Sequence, residues 1–408
     1  MMRRRRQRLA RGFTLVELMV ALSGGLFLSM VVFALARDTN RFYQQQTRLA
    51  NATMSGLVGF DRLRADIARA GYLSTPNIIL DPRVCSRPGQ NSPERLKVLR
   101  SLWLRKPSSA ASATLTNNGI TPMELTLAGA FTSTDEFPIR TVFHDGTTAQ
   151  VFLQVNTGPM ARLGYLDAAD QAAQAALLSS VFKAGRILRI LDKSGQQHYG
   201  VIESVAGGAE PSITLAADEQ LTFRANTAGT CGLKGLEVGA TVNVVNVMRY
   251  DVRSVSTDPN YAPLFDADAG TVGPYDDDRT ELVRVELDAV TGDEIDGTLE
   301  VLAEYAVDFQ LGYTVWTGTG LVTRNSTHQS FSEYFGAEND TSSNMQRVRA
   351  VRARLSVRSR EADRATDVDN SLTGLYRIGL GPGGGAPFAR VRTFQADIAL
   401  HNHGRTEW

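Results

Sequence analysis

The feature that most constrains this chain is an uninterrupted apolar run close to its N-terminus. Leu18 to Ala36 reads LMVALSGGLFLSMVVFALA, nineteen residues without a charge. A helix of about 20 apolar residues is long enough to span the hydrocarbon core of a bilayer. The sequence therefore predicts a membrane-spanning helix ahead of any globular domain.

The charges that flank the apolar run predict its orientation in the membrane. Six arginines lie among the first twelve residues, which contain no acid: Arg3, Arg4, Arg5, Arg6, Arg8 and Arg11. Because positive charge is retained on the cytoplasmic side, we expect a cytoplasmic N-terminus and an exported remainder, which in a bacterial envelope lies in the periplasm or beyond. Basic and acidic residues each number 43, so the net charge does not indicate a nucleic-acid partner.

One carboxylate stands near the start of the apolar segment. The sequence there is Arg11-Gly12-Phe13-Thr14-Leu15-Val16-Glu17. A charge at the centre of an inserted helix costs about 2.5–3.5 kcal/mol, and less near its end, so such residues usually have a partner. We therefore interpret Glu17 as a group that requires a cation in its working state.

The basic leader followed by GFTLVE resembles the class III signal of type IV pilins and of type II secretion pseudopilins. In that family a prepilin peptidase cleaves after the glycine, here Gly12, and methylates the new N-terminal residue, here Phe13. The resemblance implies a leader of residues 1–12 that is removed. It also implies that Glu17 meets the Phe13 amine of a neighbouring subunit in a filament. A plain signal anchor with an isolated glutamate is the alternative.

Helical patterning continues beyond the membrane-spanning segment. Apolar or small residues recur at alternating spacings of four and three, which is typical of one helix face. These residues are Leu49, Thr53, Gly56, Phe60, Leu63, Ile67 and Ala70. The first proline is Pro76, and Gly71 is suited to end a helix. We expect one helix over 13–70, with a membrane half (13–36) and an amphipathic half (37–70).

After Tyr72 the sequence changes to β-branched segments separated by loops rich in Gly, Pro, Asn, Asp and Ser, a pattern typical of strands. The predicted strands are 124–127, 150–155, 187–191, 200–205, 212–216, 241–255, 281–287, 299–313, 352–358 and 391–400. Residues 166–182 are a further helical pattern. The predicted fold is α+β: a long N-terminal helix packed on a β-rich antiparallel globular domain, residues 72–408.

Arginines alternate with apolar residues in one predicted strand. Arg352, Arg354 and Arg358 alternate there with Ala353, Leu355 and Val357. This alternation is expected for a half-buried antiparallel strand. We interpret these arginines, together with Arg347, Arg349 and Arg360, as a solvated basic face. Contact with DNA is the less favoured alternative, because no aromatic residues accompany them to stack on bases.

Four segments resemble PilW-type minor pilins. They are LRADIARAGY (63–72), LAEYAVDFQLGY (302–313), VRAVRARLSVRSRE (348–361) and VRTFQADIALHN (391–402). The resemblance implies a type IV pilin-like fold and a minor pilin that joins the initiation and tip complex of a type IV pilus. It would sit first in the inner membrane, with its globular domain in the periplasm, and then at the pilus tip or cell surface.

The same resemblance implies a set of partners. They are membrane lipid before assembly, the prepilin peptidase, the inner-membrane assembly platform, the other minor pilins, the major pilin and the tip adhesin. Two alternatives stay open: a GspJ-like pseudopilin of a type II secretion system, and a membrane-tethered adhesive or binding protein that never joins a filament.

The chain contains two cysteines, Cys85 and Cys231. Because an exported domain meets oxidising conditions, we predict a disulfide between them. Free or buried thiols are the alternative.

Catalytic and cofactor motifs are missing from the sequence. It contains neither a GxSxG nucleophile elbow nor a Walker loop, so we predict an assembly protein with no cofactor rather than an enzyme. Asp266, Asp268 and Asp276 can offer oxygens to calcium but lack the EF-hand spacing, so a solvated loop is preferred. His401 and His403 are predicted to lie in an exposed tail rather than in a metal site.

Overall fold

The computed structural model describes residues 14–85, 94–106, 113–144, 148–216, 233, 239–256, 258–262, 279–337, 340, 342–360, 376–380 and 387–403. The chain divides into two compact units, Met1–Asn51 and Ala52–Trp408. The first unit contains most of one long helix. The second contains the last turns of that helix and all the described strands.

Helix α1 (Leu15–Ala68) is 54 residues long, and no proline interrupts it. Beyond its end, Gly71 has a φ of 73°. Glycine adopts this left-handed conformation at no steric cost, which is why it ends helices. The Gly71 amide donates to the Ala128 carbonyl at 2.8 Å. The residues that follow the helix are therefore hydrogen-bonded to the strand Glu124–Gly129. The predicted long N-terminal helix is confirmed.

Short helices and many strands follow α1. The helices are α2 (Glu94–Lys97), α3 (Ala113–Asn117), α4 (Gly158–Arg162), α5 (Gln171–Val181) and α6 (Phe331–Tyr334). The strands are β1 (Leu102–Arg105), β2 (Glu124–Gly129), β3 (Phe137–His144), β4 (Ala149–Leu153), β5 (Ile187–Leu191), β6 (Gln197–Ala206), β7 (Ser212–Leu215), β8 (Thr241–Arg253), β9 (Glu281–Leu287), β10 (Glu300–Ala303), β11 (Ala306–Trp316), β12 (Leu321–Asn325), β13 (Val348–Arg358), β14 (Tyr376–Arg377), β15 (Phe388–Ala389) and β16 (Val391–Ala399).

Six of the strands form a closed antiparallel ring in the order β3-β4-β7-β6-β5-β8, with β8 pairing back to β3. Val242 in β8 lies opposite Phe137 on one side and Ile190 on the other. Apolar side chains, including Phe182 after α5 and Leu188, fill one core cluster here. The ring is therefore a packed barrel rather than a channel.

The second half of β8 continues into another sheet, with the order β1-β2-β8-β9-β10. A third sheet has the order β12-β11-β13-β16, and β14 and β15 form a two-stranded ribbon. Phe60, Leu63 and Ile67 of α1 share a core with residues of both sheets, such as Leu127 and Leu355. The pairings are antiparallel, and the predicted α+β class is confirmed.

The predicted helix over 166–182 is too long. Helix α5 begins at Gln171 because Asp170 acts as its N-cap, accepting a hydrogen bond from the Ala173 amide at 2.7 Å. Ala168 is extended, with φ −68° and ψ 139°. The first residues of the predicted segment therefore belong to a separate 3₁₀ turn, Tyr165–Asp167.

The predicted solvated basic face is wrong at one position. Arg352 and Arg354 are exposed, whereas only 1% of Arg358 is accessible. The Arg358 guanidinium lies 4.9 Å from the centre of the Tyr305 ring. It also donates to the carbonyls of Ser359 and Arg360, at 3.0 Å each. Aromatic and carbonyl contacts replace water around this charge, which is how a protein accommodates a buried guanidinium.

Candidate functional site

The first candidate site is the apolar surface of α1. Its segment Leu15–Gln44 is long and apolar enough to cross a membrane: its most apolar window has a mean hydropathy of 2.3, and none of that window is buried. Phe27 and Phe33 are 70% and 73% exposed. A helix that is apolar on all sides is stable only when lipid or protein surrounds it. This surface therefore requires a partner.

Thr14 and Glu17 close the first turn of this helix. The Thr14 amide and the Thr14 hydroxyl each donate to Glu17 Oε2 at 2.9 Å, and the Glu17 amide donates to Thr14 Oγ1 at 3.3 Å. This reciprocal arrangement is a capping box. Each side chain accepts a hydrogen bond from a backbone amide that has no carbonyl partner within the helix. The carboxylate also lies at the positive end of the helix dipole.

The capping box was missed in the sequence, although its signal is present. Thr14-Leu15-Val16-Glu17 fits the pattern of Ser or Thr followed three residues later by Glu, directly before an apolar run. Glu17 is therefore satisfied within its own chain as well as available to a partner. Carboxylates have two oxygens and about four acceptor positions, so one capped carboxylate can still accept from a neighbouring amine.

Most of the other predicted site residues lie outside the described residues. These are Gly12, Phe13, Cys231, Asp266, Asp268 and Asp276. Peptidase cleavage after Gly12, methylation of Phe13, the disulfide and the weak calcium site therefore stay predictions. Within the described ranges, no group of three or more His, Cys, Asp or Glu residues is placed to hold a metal ion.

Cys85 is described, and it lies beside the barrel. Its amide donates to the Gln197 carbonyl at 2.9 Å, and Val84 makes a parallel bridge to the same residue. Gln197 begins β6, so the backbone of Cys85 is fixed against a barrel strand.

A buried polar network attaches the C-terminal part of α1 to the second sheet. Asp66 is 1% exposed, and its Oδ2 accepts from the Tyr250 hydroxyl at 2.6 Å and from Arg284 Nε at 3.0 Å. Burial, together with the adjacent Asp66 charge, raises the pKa of Tyr250 well above its usual value. The phenol therefore stays protonated and donates, and the carboxylate carries the negative charge that Arg284 pairs with.

His403 is buried rather than lying in an exposed tail, so that prediction is wrong, whereas His401 is exposed. His403 Nδ1 donates to the Val348 carbonyl at 3.0 Å, because a carbonyl can only accept. Nε2 then accepts from the Ser101 hydroxyl. Burial lowers the pKa of His403 to about 4. The ring is neutral and structural, and it anchors the C-terminal segment to the second and third sheets.

Comparisons with known proteins give only weak similarity. No protein-family model and no curated protein matches this chain. Among solved structures, a type IV-like pilin from Thermus thermophilus is similar at 13% identity; the match covers 61% of this chain and 100% of that chain, with a TM-score of 0.17. A TM-score this low does not establish a shared fold.

Proposed function

We propose that this chain is a PilW-type minor pilin, a subunit that helps to initiate a type IV pilus and remains at its tip. Its work is assembly rather than catalysis. The observation that carries the proposal is the exposed apolar helix Leu15–Gln44 with a carboxylate, Glu17, capped at its first turn.

The exposed helix supports a protein that has two successive environments. Inserted in the inner membrane, with the N-terminus cytoplasmic and the second unit periplasmic, the helix is surrounded by lipid. In a filament, the apolar helices of neighbouring subunits replace the lipid. An ordinary membrane anchor needs only the first environment, and the Glu17 carboxylate would serve it only as a helix cap.

Glu17 favours a filament subunit over a plain membrane anchor. Removal of the leader after Gly12 creates an amine on Phe13, four residues before Glu17. Within its own chain, Glu17 accepts from the Thr14 amide and hydroxyl, which carry no charge. In a staggered bundle of subunits, the Phe13 amine of a neighbour supplies the missing cation, and breaking such a buried pair costs about 3–5 kcal/mol.

The second unit supports a position at the tip. It runs from Ala52 to Trp408 and includes a closed barrel beside two sheets. A domain of this size is accommodated more easily at the end of a filament than in every repeat. The expected partners are the other minor pilins, the major pilin, the tip adhesin, the prepilin peptidase and the assembly platform.

Deletion of the encoding gene tests the proposal, with the wild-type chain restored as the control. Three readouts are compared in the same cells: sheared surface pili, twitching motility and the profile of secreted proteins. Lost pili and motility with an intact secretome support a minor pilin. Retained pili with a collapsed secretome overturn it in favour of a GspJ-like pseudopilin. If both are retained, the chain is a membrane-tethered binding protein.

A further inference from the structure

A polar groove lies on the outer face of the third sheet, away from the α1 helix contacts described above. It has a volume of about 640 Å³ and is lined by β11, β12, β13, β16 and the residues that follow β12. This volume falls in the range of about 300–1,000 Å³ that is typical of small-molecule sites. The groove is distinct from every residue to which the proposed assembly role assigns work.

Gly312 makes the floor of the groove. It lies in the middle of β11, opposite Asn325 of β12 and Arg352 of β13. A Cβ at this position would come within 3.1 Å of the Arg324 carbonyl oxygen and 3.5 Å of Arg352 Cβ. Glycine weakens the interior of a strand, and it often marks a place where a ligand approaches the backbone. Here it leaves open the space that any other residue would occupy.

Polar side chains form two rows across the sheet beside this glycine. Gln310, Arg354 and Gln395 lie directly opposite one another in β11, β13 and β16, so they share one face. Asn325 and Arg352 flank Gly312 in the neighbouring row. Amides and guanidinium groups therefore surround an open floor, and all of these residues line the groove.

Carboxylates at the margin of the groove hold two of its arginines in place. Asp397 accepts from Arg352 Nε at 2.8 Å and from Arg352 Nη2 at 3.1 Å. Asp308 accepts from Arg354 Nη2 at 2.9 Å. Each guanidinium has five N–H donors, so both keep donors for a ligand. Because these side chains are held in place before a ligand arrives, the entropic cost of binding is lower.

The guanidinium groups of the groove suit a carboxylate ligand. Arg352 and Arg354 line it, and no carboxylate is found in its described lining. Arg324 lies opposite Tyr313, and its guanidinium donates to the Ser330 hydroxyl, so it contributes its backbone here. A guanidinium presents parallel donors that match a carboxylate. Asp308 and Asp397 pair with Arg354 and Arg352 and offset their charge, so the remaining guanidinium donors, rather than a net positive charge, bind a ligand carboxylate.

We propose that this groove binds an acidic saccharide, a sugar chain in which carboxylates alternate with many hydroxyls. Arg352 and Arg354 bind the carboxylates, and Asn325 and Gln395 bind the hydroxyls, because an amide offers both donors and an acceptor. Gln310 adds only its oxygen as an acceptor, since its Nε2 already donates to the Thr121 carbonyl at 3.0 Å and to Asp308 at 2.9 Å. Single-stranded nucleic acid fits less well, since no aromatic residue is found in the described lining to stack on a base.

Binding is measured with the full-length chain in lipid nanodiscs and three labelled probes of matched length. The probes are an alginate hexasaccharide, the neutral maltohexaose and a DNA hexanucleotide. We expect alginate to bind more tightly than both of the others. Equal binding of maltohexaose overturns the role of the arginines. Tighter binding of DNA, with dependence on the groove, overturns the saccharide in favour of nucleic acid.

Two variants test whether binding occurs in the groove, and a third is the control. Gly312→Val fills the floor with a residue that suits a strand, and Arg354→Gln removes a charge-assisted donor. Each should weaken alginate binding roughly ten- to hundred-fold. Arg392→Gln makes the same charge change in β16 outside the described lining, and binding should stay within about twofold. Equal losses in all three variants, or none in Arg354→Gln, overturn the proposal; unfolding midpoints identify any variant that misfolds.

Discussion

Thr14 and Glu17 form reciprocal hydrogen bonds at the first turn of α1. The Thr14 amide reaches Glu17 Oε2 at 2.9 Å, and the Glu17 amide reaches Thr14 Oγ1 at 3.3 Å. The residue proposed to bind a neighbouring subunit thus also begins the helix. A carboxylate held by the cap is fixed in position before a partner arrives, which lowers the entropic cost of pairing.

The two roles of Glu17 are separated by Glu17→Gln. Glutamine also serves in a capping box but cannot pair with an amine as an anion. We expect the variant to insert and to be processed normally, and to lose surface filaments as completely as Glu17→Ala. Asp38→Ala removes an exposed carboxylate from the same helix and should assemble normally. Wild-type filament numbers in Glu17→Gln would mean that Glu17 acts only as a cap.

Asp66 should be important for stability because its carboxylate is buried between Tyr250 and Arg284. Asp66→Ala leaves a buried guanidinium and a buried hydroxyl without this acceptor, and we expect it to lower the free energy of unfolding by about 3 kcal/mol. Chemical denaturation of the full-length chain in detergent micelles measures the loss. Asp61→Ala removes an exposed carboxylate from the same helix and should cost less than about 0.5 kcal/mol. Similar losses in the two variants would contradict this assignment.

His403 should make stability depend on pH. Burial lowers its folded pKa from 6.5 to about 4, so the unfolded chain binds more protons between these values. Its contribution is complete above about pH 6.5 and is lost as the pH falls toward 4, by about 3 kcal/mol in total. We expect the stability difference between the wild type and His403→Gln to shrink by this amount over that window. His401→Gln, at an exposed position, should leave the pH profile unchanged; a flat difference for His403→Gln would contradict the buried neutral ring.

The predicted disulfide between Cys85 and Cys231 closes a loop of more than 100 residues. In the chain-entropy model such a bond stabilises the fold by up to about 4.7 kcal/mol. A reductant should therefore lower the unfolding midpoint of the wild-type chain. The double variant Cys85→Ser, Cys231→Ser should start from the lower midpoint and not respond to the reductant. An unchanged wild-type midpoint would argue against the bond.

Local patterns in the sequence predicted the parts of the fold that depend on local physics. The apolar run, the absence of proline before Pro76 and the glycine at position 71 were sufficient for α1. Most strands were also located, because β-branched segments between turn residues are a short-range signal. Strands β1, β3, β12, β14 and β15 were not predicted, and the predicted strand 299–313 is divided into β10 and β11. Strand β3 contains Pro138, which lies near its start, where a missing amide is tolerated.

The features that the sequence did not predict depend on distant contacts. The barrel ring requires β8 to pair with both β3 and β5, and no local pattern specifies which strands meet. Arg358 looked solvated because its alternation with apolar residues is ordinary, but Tyr305 and Tyr376 cover it from other segments. His403 looked exposed because it is near the end of the chain, whereas Ser101 and Val348 bury it.

The N-terminus of the chain in sheared surface filaments tests the central claim most directly. Mass spectrometry of the N-terminal peptide is compared between the wild type and Gly12→Leu. Gly320→Leu in the second unit is the control, since a side chain at Gly320 meets nothing within 4 Å. We expect a filament-associated chain that begins at methylated Phe13 in the wild type and in Gly320→Leu. For Gly12→Leu we expect an unprocessed chain, held in the inner membrane. A wild-type chain that keeps its leader and is absent from the filaments would rule out a processed pilus subunit.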